Sequence, residues 1–182
     1  EIATAQKVVA QFAVKAHGTS GHGSMPHGDS ATVKLIKAVD RLAEWEPPLE
    51  VIPLVKEYFA NLAAVSPSEE TKGYHDIETS LRNPAFAEAF TANPQYNAMV
   101  RNTLTPTILA AGKKVNVIPS EAEATFDCRI LPGTSIETFF SRVREIIANE
   151  KIEVAPLPEF EMAPSPPSPT DNDLYEAIVR VG

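Results

Sequence analysis

From Glu121 to Leu131 the chain alternates strictly. Ala122, Ala124, Phe126, Cys128 and Ile130 fall on one side, and Glu121, Glu123, Thr125, Asp127 and Arg129 on the other. A period of two marks a β-strand with one buried and one wet face. Such a strand needs a second layer over its apolar side, and two segments of this chain can supply one. After Asp29 or Ser30, either of which can cap, Val33, Leu35, Ile36, Val39 and Leu42 give the apolar stripe of a helix running to about Glu44. After Ser135, the residues Ile136, Phe139, Phe140, Val143, Ile146 and Ile147 do the same for a helix to about Ala148.

The remaining strands follow from composition and punctuation. Val8 to Ala16 is rich in valine, phenylalanine and small residues. Met99 to Ala111 carries Val100, Leu104, Thr105, Thr107, Ile108 and Leu109 and ends in a Gly112-Lys113-Lys114 turn. Val115 to Pro119 is a short extended piece, and Ile152 to Phe160 a last strand. Helix and strand then succeed one another as β-α-β-β-α-β. The predicted fold is an α+β two-layer sandwich of ferredoxin-like topology: a four-stranded, largely antiparallel sheet with two helices on one face. Prolines at 47, 48, 53, 67, 84 and 94 chop residues 46–99 into short helical pieces such as Leu54–Ala64 and Ala85–Thr91, so this stretch reads as a helical insertion. Its Leu54, Val55, Tyr58, Phe59 and Leu62 are expected to pack together. Met162 to Pro169 is a proline-rich connector, and Asp171 to Gly182 an amphipathic helix with Leu174, Ile178 and Val181 on one stripe. The domain expectation is 1–161 for the sandwich and 162–182 for a linker leading into something else. A start at Glu1 and an abrupt stop inside a helix suggest a piece of a longer protein.

Charge and cysteine content exclude several classes. A formal net charge of -8 over 182 residues, with no Lys/Arg run, argues against nucleic acid or an anionic membrane as partner. No apolar run reaches the ~20 residues that span a bilayer. The single cysteine, Cys128, excludes an internal disulfide framework, falls on the core face of its strand and suits a reducing compartment, so a cytoplasmic location is expected. A Gly-x-Ser-x-Gly elbow and a phosphate loop are both absent from the sequence.

Chemistry concentrates in few places. Gly18-Thr19-Ser20-Gly21-His22-Gly23-Ser24-Met25-Pro26 is a glycine-punctuated loop whose glycines permit tight turning and positive φ, which would hold His22 on an exposed loop. His17, His22 and His27 lie five apart, a spacing that fits neither the i, i+4 of a helical zinc site nor the i, i+2 of a strand. No metal site is therefore assigned to this chain, although three histidines leave a self-contained zinc hydrolase as a rival. In Val115-Asn116-Val117 the valines are expected to point to the core and Asn116 to the polar side. Arg129 interrupts an otherwise acidic strand face, and its planar fork suits a carboxylate. Alone, Arg129 reads equally as a salt bridge to Asp127 or Glu123, and Asn116 as a turn cap.

Taken together, Gly18-x-x-Gly21-His22-Gly23-Ser24-x-Pro26, Gly112-x-x-x-Asn116-Val117-Ile118-Pro119 and Asp127-x-Arg129-x-x-Pro132-Gly133 resemble the dimerisation (lid) domain of the M20 metallopeptidase family of carboxypeptidases, aminoacylases and deacetylases. The resemblance covers about residues 7–160. It implies a homodimer, and two zinc ions bound by a separate catalytic domain that this sequence lacks. It implies a substrate of the N-acyl amino acid or small-peptide class with a free carboxylate. His22 matches the histidine that reaches into the partner subunit's active site to stabilise the oxyanion. Asn116 and Arg129 match substrate-binding residues, with Arg129 on the carboxylate. On this resemblance the chain alone is inactive. A non-enzymatic ligand-binding or oligomerisation module of the same topology remains the alternative.

Overall fold

The computed structural model describes residues 4–157 and 166–181. The alternating segment forms the centre of the sheet as β6 (Glu121–Ile130), its even positions buried and its odd positions half-exposed. On one side it pairs antiparallel with β1 (Val8–Val9) and β2 (Phe12–His17), which follow one another in a single continuous register: Val9 opposes Arg129 and Phe12 opposes Phe126. The expected strand from Val8 to Ala16 is thus two pieces of one line, bridged by the Ala10 N–H to Cys128 O bond of 2.9 Å. On its other side β6 pairs with β4 (Thr103–Ala111), and β7 (Ile152–Pro156) pairs antiparallel with β2. The lines therefore run β4, β6, β1/β2, β7, the ferredoxin-like order, with every pair antiparallel. A two-stranded sheet of β3 (Gly21–His22) and β5 (Val117–Ile118) stands apart from it.

Helices α1 (Ala31–Glu44) and α6 (Ile136–Ile147) cover the apolar face, capped by Ser30 and Ser135 side chains that accept from the backbone of Val33 and Thr138. Phe12 stacks on Phe126 at 5.2 Å and meets Phe140 of α6 edge-on at 5.3 Å, so three rings from three elements tie sheet to helix. Cys128 is fully buried here, and burial pushes its thiol pKa up to about 12, consistent with an inert core residue.

The insertion has its own core. Here α2 (Pro53–Val65), a 3₁₀ turn (Lys72–Asp76), α3 (Ile77–Ser80), α4 (Pro84–Thr91) and α5 (Pro94–Met99) surround Phe59, whose ring meets those of Tyr74, Phe90 and Tyr96 at 5.1, 5.0 and 5.1 Å. Three of the insertion's six prolines, Pro53, Pro84 and Pro94, sit at the first turns of α2, α4 and α5, where a missing N–H costs nothing, and Asn83 and Asn93 cap the latter two.

Several expectations change. Met99 belongs to α5, and β4 starts only at Thr103. Val115 and Val117 point outward, because the segment pairs with the His22 loop and leaves the main sheet. Val33 and Ile36 are 49% and 60% exposed, since α1 faces the sheet through Ala31, Leu35, Ala38 and Leu42. The last strand ends at Pro156. Residues 158–160 of the expected strand, residues 162–165 of the expected connector and the 161/162 boundary lie outside the described residues. Beyond them, α7 (Asp173–Val181) forms where an amphipathic helix was expected.

Candidate functional site

The His22 loop leaves β2 at the Glu121 end of the sheet. Its course is set by close approach: a Cβ on Gly18 would sit 2.2 Å from the Asp29 carbonyl oxygen, and one on Gly23 would sit 3.3 Å from the Asn116 carbonyl carbon. The glycines were expected to serve through positive φ. They serve instead by letting backbone pass backbone, and among the described residues positive-φ glycines occur only at Gly112 and Gly133.

Asp29 anchors the loop. Its carboxylate accepts from Thr19 Oγ1 at 2.8 Å and pairs with Lys34, and the Thr19 N–H donates to its carbonyl at 2.9 Å. These hydrogen bonds, Lys34's first, hold the Asp29 carboxyl down at about 2.

Within the loop, His22 opposes Val117 and Gly21 opposes Ile118, and the Gly23 N–H donates to Asn116 O at 2.8 Å. Two motifs far apart in sequence thus become one exposed tip, with Asn116 directly opposite the residue after His22. The Nδ1 of His22 lies 2.8 Å from Ser24 Oγ and accepts from the Ser24 N–H at 3.2 Å. The ring of His27 packs against Gly21, and its Nδ1 accepts from the Asp29 N–H at 3.2 Å. His17 faces Glu121 at 3.8 Å. The three histidines therefore have separate local partners, and among the described residues no three His, Cys, Asp or Glu converge as metal ligands. His17, His22 and His27, each held by a different neighbour, do not form a shared zinc site.

Arg129 is elsewhere. Eight residues of β6 separate it from Glu121, about 26 Å at strand rise. It lies on the wet face, between Val9 and Thr103 in the ladder. There it donates through Nε to Asp127 Oδ1 at 2.9 Å and through Nη2 to Oδ2 at 3.2 Å, leaving three of the five guanidinium hydrogens unused by this pair. So the structure brings His22 and Asn116 together and sets Arg129 at the far end of the sheet, engaged with Asp127 as one reading of its sequence allowed.

That far end also holds features the sequence did not announce. Lys7 Nζ donates to Ala98 O, Arg101 O and Thr103 Oγ1 at 3.0, 2.8 and 3.2 Å. Burial brings its pKa down to about 8, against a raising influence of Cys128, with the nearby Arg129 charge lowering it further. Beside it opens a groove of about 780 Å³, walled by Leu54, Tyr58 and Leu62 of α2 and by Met99 and Leu131. The residues expected only to pack thus divide: Val55 and Phe59 are core, while Leu54, Tyr58 and Leu62 are half-buried at the groove. The i, i+4, i+8 stripe is the signal that distinguishes them: Tyr58 and Leu62 pack on the insertion's core from its margin and still present a side to the groove.

A ferredoxin-like sandwich with a paired histidine–asparagine tip and an arginine on its open face defines a lid-type α+β domain. The model of the peptidase dimerisation domain of M20 hydrolases matches residues 4–155, and the chain belongs to that family. Over 182 aligned residues it is 30% identical to the N-fatty-acyl-amino acid synthase/hydrolase PM20D1 of Mus musculus, covering 94% of this chain and 33% of that protein. It is 29% identical to the probable carboxypeptidase S-like 2 of Dictyostelium discoideum, covering 87% of this chain and 30% of that one. The chain thus spans about a third of these relatives. Among solved structures, human carnosine dipeptidase 1 shares the fold with a TM-score of 0.55 at 15% identity, over 99% of this chain and 43% of its own. Among the described residues no helix is long and apolar enough to cross a membrane.

Proposed function

We propose that residues 1–161 are the dimerisation lid, with 46–99 as an insertion, of a homodimeric two-zinc M20 hydrolase, and that 162–182 lead into its catalytic domain. The enzyme cleaves the amide of an N-acyl amino acid or small peptide with a free carboxylate. The observation that carries this reading is the β3–β5 pairing, which puts His22 and Asn116 on one tip. A histidine N–H aimed at the developing oxyanion of the scissile carbonyl is worth about 10²–10³ in kcat. Asn116 offers an amide to the substrate beside it, and the free edge of Arg129 takes the carboxylate. The zinc ligands belong to the catalytic domain; these residues bind, orient and polarise.

Position demands two chains. The carboxylate and scissile carbonyl of an N-acyl amino acid are separated only by Cα and N, whereas Arg129 lies about 26 Å of strand from the loop end of β6. One site must therefore combine Arg129 of one chain with His22 and Asn116 of the other. The β4 edge supports such pairing: Ile108 and Leu109 are 59% and 66% exposed, and with Val33 and Ile36 of the adjoining α1 they leave apolar surface uncovered. A long apolar acyl chain is the substrate class that the α2 groove and the name of the mouse relative support.

Steady-state kinetics of the full-length protein on N-acyl amino acids of increasing chain length provide the test. His22→Ala should lower kcat far more than it raises KM, and Arg129→Ala should mainly raise KM. Leu62→Asp should raise KM for long chains and leave short ones alone. A His22→Ala enzyme near wild type sinks the oxyanion assignment.

A further inference from the structure

We propose that Ser24 is a positioning residue for His22: it holds the imidazole in the tautomer whose proton sits on Nε2. A neutral imidazole has one N–H and one lone pair, and the partner of one nitrogen decides which is which. The Ser24 backbone N–H can only donate, and at 3.2 Å it points at Nδ1. A proton on Nδ1 would set two N–H groups against each other. Nδ1 is therefore the acceptor, and the Ser24 hydroxyl, 2.8 Å away, is the closer of two donors converging on it. The remaining proton goes to Nε2, which among the described residues has no hydrogen-bond partner.

The arrangement supplies what an oxyanion donor requires. A histidine with its proton on Nδ1 would present a lone pair at Nε2, which repels developing negative charge. The same contacts fix the ring's rotation on an exposed loop, where an unrestrained imidazole would sample several rotamers. Ser24 follows His22 by two residues, so loop geometry alone keeps the pair together. The catalytic consequence rests on the oxyanion reading of His22; the tautomer assignment does not.

Nitrogen NMR of the full-length protein labelled at histidine tests the tautomer, and steady-state kinetics test its use. Wild type should show His22 Nδ1 as the unprotonated, accepting nitrogen. Ser24→Ala, at an exposed position, removes the closer donor and keeps the backbone N–H, so it should move that signal only partway toward tautomer exchange and lower kcat about two- to tenfold, the worth of one neutral hydrogen bond, with KM little changed. Ser24→Thr, which keeps the hydroxyl, should restore both. A His22 nitrogen signal that Ser24→Ala leaves unmoved overturns the proposal, as does protonation on Nδ1 in wild type. If His22→Ala leaves kcat intact while the Nε2–H tautomer still depends on Ser24, the positioning role stands and the oxyanion reading fails.

Discussion

Mixing two crippled variants of the full-length protein tests whether each site is shared between chains. On the proposed oxyanion role, His22→Ala costs about 10²–10³ in kcat. Arg129→Ala removes a charge-assisted hydrogen bond of about 1.5–3 kcal/mol, roughly 10- to 150-fold in KM. Each homodimer is therefore nearly silent at substrate concentrations below the wild-type KM. After dissociation and random reassociation about half of the dimers are mixed. In each mixed dimer, one site takes Arg129 from the His22→Ala chain and His22 from the Arg129→Ala chain, and is intact. The other site lacks both residues. One intact site in half of the dimers returns about a quarter of wild-type activity, far above either parent, with a maximum at equal mixing. The structural ground is the length of β6, about 26 Å from Glu121 to Arg129, which one chain's substrate cannot bridge. If one chain supplied both residues to a single site, every mixed site would lack one of them. Activity would then never exceed the mean of the parents, and that result refutes the shared site.

Gly18→Ala places a Cβ 2.2 Å from Asp29 O and 2.6 Å from Ala31 N, both backbone, so the loop must move; thermal unfolding should show a loss of about 1–3 kcal/mol and assays a fall in kcat through displaced His22. The double variant Val33→Glu, Ile108→Glu puts charge on the uncovered apolar strip and should give a monomer by sedimentation with unchanged circular dichroism; a stable dimer places the interface elsewhere. Lys7 has a folded pKa of about 8 against the ordinary lysine value of 10.5, so between these values the unfolded chain binds more protons and stability rises with pH. Cys128, raised to about 12 from 9.0, opposes this above pH 9, which leaves pH 8–9 as the clean window. Denaturant midpoints of the 182-residue chain should rise across that window, and Lys7→Met should abolish the rise.

Legibility in the sequence followed the range of the forces involved. The alternation of β6 and the stripes of α1 and α6 report one-sided burial, a local periodic property, so the sheet, its two layers and the succession of elements along the chain could be derived. Val33, Ile36, Val115 and Val117 were assigned to the core because apolarity says that a side chain prefers a partner, without saying which. Val117 is drawn off by pairing with the His22 loop, a contact between residues far apart in sequence that no local pattern encodes. The loop glycines show the same limit: sequence announces conformational freedom, and only the fold reveals that Gly18 is needed because Asp29 O passes where a side chain would be.

Arg129 illustrates how a structural reading and the proposed functional one can coexist in a single side chain. Its two-point contact with Asp127 lies on the strand's wet face, with both side chains more than a third exposed, so screening leaves the pair little to contribute to folding. An exposed pair of that kind is a poor reason to keep a bidentate geometry, yet a good way to aim one. Asp127 takes the Nε and one Nη2 hydrogen and leaves the other three guanidinium hydrogens unused by this pair, while Lys7, saturated by three acceptors, keeps a second positive charge in reserve at the same end. An incoming carboxylate then meets two cations and one anion, a net attraction that survives without breaking the Asp127 contact. Asp127→Asn should accordingly raise KM by loosening the guanidinium, despite removing a negative charge that would otherwise repel the substrate. A fall in KM would mean that Asp127 merely competes for Arg129, and the orienting argument would fail with it.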